Sequence, residues 1–182
     1  AYLLHMLRWI MGDADFFTGM YNYINDPVLA YDYALTPEFK AHMETAADTT
    51  LTEFFDDWYY GEGWPDYDVV WSVDVACNNK LRVNIQQSHS AGGNSFFEMP
   101  VPIKFSNGSQ DTVLVFHQNN TSDTLFFESI NFAPDNAVFD PDLWLCAQNV
   151  IVEESVPVKT IHWTGSVDNN WNSSSNWDCG IP

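Results

Sequence analysis

The residues of this 182-residue sequence that could carry chemistry are few and widely spaced. His42 and Glu44 are the closest pair of potential metal ligands, but side chains two positions apart on a helix point in different directions, so they do not share an ion. His5 lies alone in an apolar stretch, where a histidine is more often a hydrogen-bonded core residue than a ligand. The sequence therefore predicts no catalytic residue and no metal site in this chain, and it assigns no substrate-binding residue.

One acidic group could be mistaken for a pair of catalytic acids. Glu53, Asp56 and Asp57 follow one another closely. Glu53 is better explained by a capping box with Thr50, in which each side chain accepts a hydrogen bond from the other residue's backbone N–H. We interpret Asp56 and Asp57 as solvent-facing residues of an acidic surface.

A second acidic group is a candidate calcium site. Asp135, Asp140 and Asp142 could supply the oxygen ligands that Ca²⁺ requires. Their spacing matches no EF-hand loop, however, and aspartate is common in turns. We therefore interpret all three as turn-forming residues.

Three tryptophans lie in a Ser- and Asn-rich tail. Trp163, Trp171 and Trp177 could form a platform on which sugar rings stack. In so short a segment they are more readily explained as the core of a small module. A binding module for glycans or a partner protein, built from the tail or from the strands before it, stays open as an alternative function.

The three cysteines, Cys77, Cys146 and Cys179, are far apart and form no CxxC motif. This spacing argues against a zinc knuckle and against a redox motif. Cys77 and Cys146 could form a disulfide if the protein is secreted, which would leave Cys179 unpaired. Free, partly buried thiols are the alternative.

Composition excludes two kinds of partner. The net charge is -19, with only six Lys and Arg residues. Nucleic acids and anionic membrane surfaces bind through basic clusters, so neither is an expected partner. No apolar run is long enough to predict a membrane span.

The first stretch, residues 1–11, predicts a helix that ends at Gly12. Only His5 and Arg8 interrupt its apolar residues, and Arg8 is expected to form an ion pair with Asp13 or Asp15. A helix that is apolar all round belongs in a large core. We therefore expect the chain to begin inside a domain whose larger part is missing, or residues 1–11 to pair with a second copy in a homodimer.

Periodicity divides the rest of the chain into a helical part and a strand-rich part. Apolar residues recur at helical spacing after Asp13, after Thr36 and after Thr50. At Asp66 the period changes to two. The predicted strands cover residues 67–76, 81–87, 96–105, 112–117, 124–130, 136–139 and 143–153.

This pattern predicts an α + β multidomain protein. Four helices occupy residues 1–65, and the strands of residues 66–155 favour an immunoglobulin-like antiparallel β-sandwich. Residues 156–182 are predicted to be a linker and the start of a truncated C-terminal module.

Several stretches within the first 71 residues resemble the zinc aminopeptidases related to aminopeptidase N and leukotriene hydrolase, which are gluzincins. The stretches occur in the family's order and at spacings that fit it, over more than a third of the chain. They are AYLLHMLR at residues 1–8 with Gly12, Asp13 and Phe16, TPEF at 36–39, LTEFFDDW at 51–58, GWP at 63–65 and VVW at 69–71.

The resemblance implies a domain layout and an activity. In this family the helical half of a thermolysin-like catalytic domain is followed directly by a β-sandwich, and the whole protein hydrolyses N-terminal peptide bonds with zinc-activated water. The family's HExxH zinc motif and its GxMEN-type loop are absent from this sequence. The Tyr-x-Lys-Gly-Ala run of the family would end at Ala1, so its tyrosine would lie just ahead of this residue.

The resemblance therefore places the zinc ligands upstream, in the missing N-terminal part of the catalytic domain, which would be a partner of this chain. The chain alone is expected to be inert and to hold no cofactor. The tail from Trp163 resembles C-terminal modules of secreted proteins of gliding bacteria, which implies a secreted or cell-surface bacterial protein. A catalytically dead structural homologue is a further alternative.

Overall fold

The computed structural model describes residues 1–30, 32–90, 92, 94, 96–119, 121, 124–157, 161, 163–177 and 179, and only the backbone of residue 76. Within these residues the fold is α + β, with three helices and seven strands in two sheets. We refer to residues 1–64 as the helical unit, residues 65–155 as the sheet unit and residues 156–182 as the tail. The predicted truncation at Pro182 lies outside the described residues.

A four-helix subdomain is not seen in the described part of residues 1–65. The two helices predicted on either side of Gly12 form one kinked element, in which Gly12 has φ 75° and ψ 163°. This conformation is essentially confined to glycine, so the break occurs at the residue that the sequence indicated. The helices are α1 (Tyr2–Ile24), α2 (Thr36–Ala47) and α3 (Thr52–Phe55), and α3 continues into a π-helical turn (Asp56–Tyr60).

Helices α1 and α2 pack closely because a glycine faces a methionine. Met43 on α2 is fully buried. A Cβ atom at Gly19 on α1 would lie 2.6 Å from the Met43 sulfur. Nearby, the rings of Tyr23 and Phe39 meet edge to face with centroids 5.2 Å apart. The apolar face predicted for α2 is therefore its contact with α1.

The seven strands form two sheets with one parallel pair. The four-stranded sheet has the order β5-β2-β1-β7, and the three-stranded sheet has the order β4-β3-β6. Strands β1 and β7 run parallel, with Tyr67 opposite Val150, so the prediction of a wholly antiparallel arrangement is wrong for this pair. The strands are β1 (Pro65–Asp74), β2 (Lys80–His89), β3 (Pro100–Ser106), β4 (Asp111–His117), β5 (Thr124–Ser129), β6 (Asn136–Phe139) and β7 (Val150–Glu154).

The core of the sheet unit lies between the two sheets. Alternate residues of β1 are buried, as the period of two predicted. Trp71 on β1 meets Phe105 on β3 at 5.7 Å between ring centroids, and Tyr67 meets Phe139 at 4.9 Å. Two sheets that face each other in this way are compatible with a β-sandwich.

The helical unit packs against the sheet unit through the first half of α1. Met6, Leu7 and Met11 are buried, whereas Tyr2 and Leu4 are exposed. Other parts of this chain thus bury one side of a helix that the sequence predicted to be apolar on every side. The expectation that the first helix needs another polypeptide to bury it is therefore too strong.

The disulfide pairing differs from the one that the sequence suggested. Cys77, in the turn that follows β1, is bonded to Cys179 in the tail. Cys146 is the free cysteine and is exposed. The bonded cysteines are 102 positions apart, and nothing in the spacing of the three cysteines predicted this pairing. Disulfides are typical of extracellular compartments.

No helix in the described ranges is long and apolar enough to cross a lipid bilayer. This agrees with the absence of a predicted membrane span.

Candidate functional site

The candidate site is a cleft at the boundary between the helical unit and the sheet unit. It has a volume of about 280 Å³. Residues from α1, from the segment around α3, from the segment leading into β3 and from the end of β4 all contribute to its wall. The lining residues are Ile10, Thr50, Leu51, Glu53, Phe54, Glu98, Met99, Pro100, His117 and Gln118.

Glu53 faces this cleft and does not cap a helix. The predicted capping box with Thr50 is not formed, because α3 begins at Thr52 and not at Leu51. The Leu51 backbone N–H donates to the carboxylate of Glu44 at 2.7 Å, and the Thr52 N–H donates to the Thr50 hydroxyl at 3.3 Å. The carboxylate of Glu53 therefore does not have the capping role that the sequence predicted.

The Glu53 carboxyl instead lies close enough to the carboxyl of Glu98 to act on its pKa, and both residues line the cleft. Glu98 lies just ahead of β3, so this contact joins the two units. Partial burial, followed by the charge of Glu53 and its hydrogen bond, raises the pKa of Glu98 above its ordinary value, and the charge of Asp57 adds to the effect. Glu98 is thus protonated more easily than an isolated glutamate.

Asp57 connects the same two units and is not the solvent-facing residue that was predicted. Its carboxylate accepts hydrogen bonds from the Glu98 backbone N–H at 3.1 Å and from the Asn94 side-chain amide at 3.3 Å. Burial raises the pKa of Asp57, and these hydrogen bonds oppose that shift. Asp56, the neighbouring residue, is exposed as predicted.

Gln118 is the buried polar residue of the cleft wall. It is 2% exposed, and its side-chain N–H donates to the Ile85 carbonyl oxygen at 2.7 Å. That bond fixes the orientation of the amide, and the amide oxygen Oε1 is buried without a hydrogen-bond partner among the described residues. Nearly all buried polar atoms have such a partner, so this oxygen is unusual.

The two histidines considered from the sequence have structural partners. His5 stacks on Trp144 at 4.4 Å between ring centroids. His42 contacts the Asp26 carboxylate at 2.9 Å, which joins α2 to the end of α1. Glu44, the other potential ligand near His42, accepts the Leu51 N–H, so the two side chains do not converge on one ion, as predicted. Neither histidine is therefore part of the cleft.

The predicted ion pair of Arg8 is formed with Asp13 and is bidentate. The guanidinium donates two hydrogen bonds, of 2.7 and 2.8 Å, to the two carboxylate oxygens. This pair lowers the pKa of Asp13, chiefly through the hydrogen bond. The arginine also lies over the ring of Phe17, 5.2 Å from its centroid, so its role is structural.

Asp140 is a turn residue, as the sequence indicated. Its two carboxylate oxygens accept the backbone N–H groups of Trp144 and Leu145 at 2.8 and 2.7 Å. Burial raises the pKa of Asp140, whereas these two hydrogen bonds oppose the shift. Among the described residues, Asp135, Asp140 and Asp142 do not form a group with ligand atoms within 4.8 Å of one another.

One other group of potential metal ligands in the described part of the chain does come close together. The ligand atoms of Asp74, Cys77 and Cys179 lie within 4.8 Å of one another. The two cysteines are joined in the disulfide, so their sulfur atoms are not free thiolates, and Asp74 accepts the Cys77 backbone N–H. This group is a cross-link and gives no evidence for a metal.

The three tail tryptophans contact one another. Trp177 is buried and donates its indole N–H to the Trp171 carbonyl oxygen at 2.9 Å. Trp163 and Trp171 stack with planes 13° apart. Asn176 is fully buried and accepts the backbone N–H groups of Val167 and Asp168. The tryptophans thus form a small cluster in which Trp177 is buried, as predicted for a core residue, whereas Trp163 and Trp171 are exposed.

Comparison with protein-family models and with curated proteins gives no match for this chain. The resemblance to zinc aminopeptidases therefore depends on the residues quoted above. Sequence reasoning singled out Glu53 and Asp57 but missed Glu98 and Gln118. No local signal marks those two, because the cleft exists only when distant parts of the chain pack together.

Proposed function

We propose that this chain is the junction between the catalytic domain and an immunoglobulin-like domain of a secreted zinc aminopeptidase-like protein. The whole protein cleaves N-terminal peptide bonds with zinc-activated water. Its zinc ligands and general base belong to the part of the catalytic domain that precedes these residues. The sheet unit serves as a rigid spacer that covers the helical unit and presents the tail.

The observation that carries this proposal is the bonding between the helical unit and the sheet unit. The Trp9 indole N–H donates to the Pro100 carbonyl oxygen at 2.9 Å. The Tyr2 hydroxyl lies 2.8 and 2.9 Å from the carbonyl oxygens of Leu143 and Leu145. Buried residues of both units belong to one continuous apolar core. Several such contacts fix the angle between two units, which a spacer requires.

Exposed apolar residues of the helical unit support the proposed partner. Phe17, Tyr21, Ile24 and Val28 are 54%, 67%, 70% and 78% exposed. Large exposed apolar patches commonly mark surfaces that pack against other protein. In this proposal the rest of the catalytic domain covers these residues, and a second copy of the chain is the competing occupant.

Two measurements test the proposal. The coding sequence ahead of Ala1 should contain HExxH and a Tyr-x-Lys-Gly-Ala run. With leucine p-nitroanilide and added zinc, the chain alone should show no turnover, whereas the longer protein should show turnover that a chelator abolishes. Robust turnover by the chain alone, or an upstream sequence without these motifs, refutes the proposal. An inactive longer protein with a degenerate zinc motif would favour the catalytically dead homologue.

A second candidate function is glycan binding by the tail. Trp163 and Trp171 are 40% and 60% exposed, and exposed aromatic rings pack against the C–H faces of sugars. A glycan array should detect binding that Trp171→Ala abolishes, with Trp64→Ala, an exposed tryptophan of the helical unit, as the control. Equal loss in both variants, or no binding at all, would exclude this function.

A further inference from the structure

The edge strands of the two sheets differ in how they are protected from pairing with another molecule. Strands β4 and β6 are the edges of the three-stranded sheet, and β5 and β7 are the edges of the other sheet. Edge strands are commonly protected by short length or by charged side chains within the strand. Strand β6 has only four residues, β5 contains Glu128, and β7 contains Glu153 and Glu154.

Strand β4 has neither kind of protection. It is seven residues long, and the residues between its two ends, from Thr112 to Phe116, include no charge, proline or glycine. All five are β-branched, aromatic or aliphatic residues that suit a strand. Among the residues that the structure describes, β4 pairs with β3 alone. Its other edge therefore presents backbone N–H and C=O groups to a further strand.

The side chains on the outer face of β4 are also suited to a further strand. Val113 and Val115 are 45% and 41% exposed, whereas Phe116, on the opposite face, is buried. On β3 their cross-strand neighbours are Lys104 and Pro102. The side towards the free edge has no neighbour in the described sheet, so an added strand would cover the two valines from that side.

The sequence of β4 is complementary to itself in one antiparallel register. When two copies pair about a two-fold axis at Leu114, all seven residues of each strand have a partner. Val113 then lies opposite Val115 of the second copy, and Asp111 lies opposite His117 of the second copy. Valine pairs are favourable cross-strand neighbours, and an imidazole N–H can donate to a carboxylate. An axis at Val113 or at Val115 would leave the end residues unpaired.

The charges near β4 are compatible with self-association. Two chains that each carry a net charge of -19 repel one another. In this register, however, no carboxylate lies opposite a carboxylate, because the acidic end of each strand meets the histidine end of the other. Asp111 also forms an ion pair with Lys104 within its own sheet. Local complementarity of this kind favours a second copy of β4 over an acidic strand from elsewhere.

We propose that β4 is a dimerisation edge, at which two copies of this chain form one continuous six-stranded sheet by antiparallel pairing centred on Leu114. The interface is isologous, since the same strand contributes from both copies. One strand pair is a small interface, so the association is weak and reversible. This inference is independent of the proposed peptidase function, and it uses a different surface from the pairing of residues 1–11 that the sequence suggested.

Sedimentation equilibrium of the full chain tests the association. It is run from about 10 μM to about 1 mM protein in about 0.15 M NaCl, where charges farther apart than about 8 Å are largely screened. A reversible monomer–dimer equilibrium is expected. Val115→Lys removes two valine pairs and places two lysines at diagonal positions across the axis, so it should raise the dissociation constant at least tenfold. Val138→Lys, at an equally exposed valine on β6, is the matched control and should change it less than twofold.

Cross-linking tests the register and does not depend on the lysine variants. The background is Cys146→Ser, which removes the exposed free thiol. Val113→Cys and Val115→Cys are made separately in this background. Directly opposed residues lie about 5 Å apart and diagonal ones about 7–8 Å apart, whereas a disulfide requires Cα atoms within about 7 Å. Under mild oxidation, an equimolar mixture of the two variants should therefore form covalent dimer at least threefold faster than either variant alone.

Three results would overturn the inference. The first is a chain that stays monomeric over the whole concentration range. The second is an equal dissociation constant for Val115→Lys and Val138→Lys, or cross-linking that is no faster in the mixture. The third is a dimer that Ile24→Lys abolishes and Val115→Lys retains, which would place the contact on the exposed apolar residues of α1 instead.

Discussion

The indole of Trp144 lies nearly parallel to the imidazole of His5, with ring centroids 4.4 Å apart and planes 15° apart. Trp9, about one helical turn further along α1, stacks on the same indole at 5.3 Å. Trp144 belongs to the segment between β6 and β7. One side chain of the sheet unit therefore contacts two successive turns of the helical unit.

Removing this indole should weaken the junction. Trp144→Ala is expected to lower the free energy of unfolding by about 2–4 kcal/mol, because it deletes both ring contacts and leaves a cavity beside α1. Urea unfolding followed by circular dichroism measures the effect. The control is Trp171→Ala, whose side chain is 60% exposed and should cost less than about 1 kcal/mol. Equal losses in the two variants would contradict the role given to Trp144.

The kink of α1 should depend on its glycine. Gly12→Ala is expected to destabilise the protein by about 1–3 kcal/mol, because its φ of 75° and ψ of 163° are unfavourable for any side chain even though no atom lies within 4 Å of the added methyl group. Gly108→Ala is the matched control, since its Cβ also meets nothing within 4 Å and no positive φ is involved. Similar thermal midpoints for the two variants would show that the kink is not strained.

The carboxyl pair of the cleft should make stability depend on pH. The pKa of Glu98 is raised above its ordinary 4.5, so the folded state holds this proton more tightly than the unfolded state. The contribution of Glu98 to the free energy of unfolding is therefore largest below its ordinary pKa. This contribution falls as the pH rises through the raised pKa. Glu98→Gln stays neutral, so the free energy of unfolding of this variant relative to the wild type should increase with pH across that window.

Urea unfolding at a series of pH values measures this difference. The charges of Glu53 and Asp57 act on Glu98, so the comparison is made between variants and not on the wild-type curve alone. Glu128→Gln serves as the control for the loss of one negative charge. If the free energy of unfolding changed with pH in the same way for the wild type and for Glu98→Gln, protonation of Glu98 would not be the cause of the pH dependence.

Local patterns predicted the elements well where neighbouring residues decide the structure. The strand predicted at residues 136–139 is β6, and the break at Gly12 is present. The capping box of Glu53 failed because the N-cap of α3 is Leu51 and not Thr50, and Glu44, from the preceding helix, accepts the Leu51 N–H. A competing donor or acceptor from a distant segment is invisible to a pattern of adjacent residues.

The same limit explains what was missed in the cleft. Glu53 was noticed, but its partner Glu98 could be identified only after α3 and the segment before β3 were placed side by side. Gln118 has no sequence feature that distinguishes it from other glutamines, because its burial is set by how β4 leaves the sheet. The parallel β1–β7 pair depends in the same way on where the chain returns after β6.

The disulfide gives a prediction that distinguishes directly between the sequence-based pairing and the structure. Peptide mapping without reduction should find Cys77 linked to Cys179, with Cys146 as the one thiol that reacts before reduction. Reduction, or Cys179→Ser, should lower the free energy of unfolding by about 2–4 kcal/mol, because the bond closes a long loop across the sheet unit and the tail. Cys146→Ser is the control and should leave both the cross-link and the stability in place. A peptide that links Cys77 to Cys146 would instead restore the sequence-based pairing and would separate the tail from the end of β1.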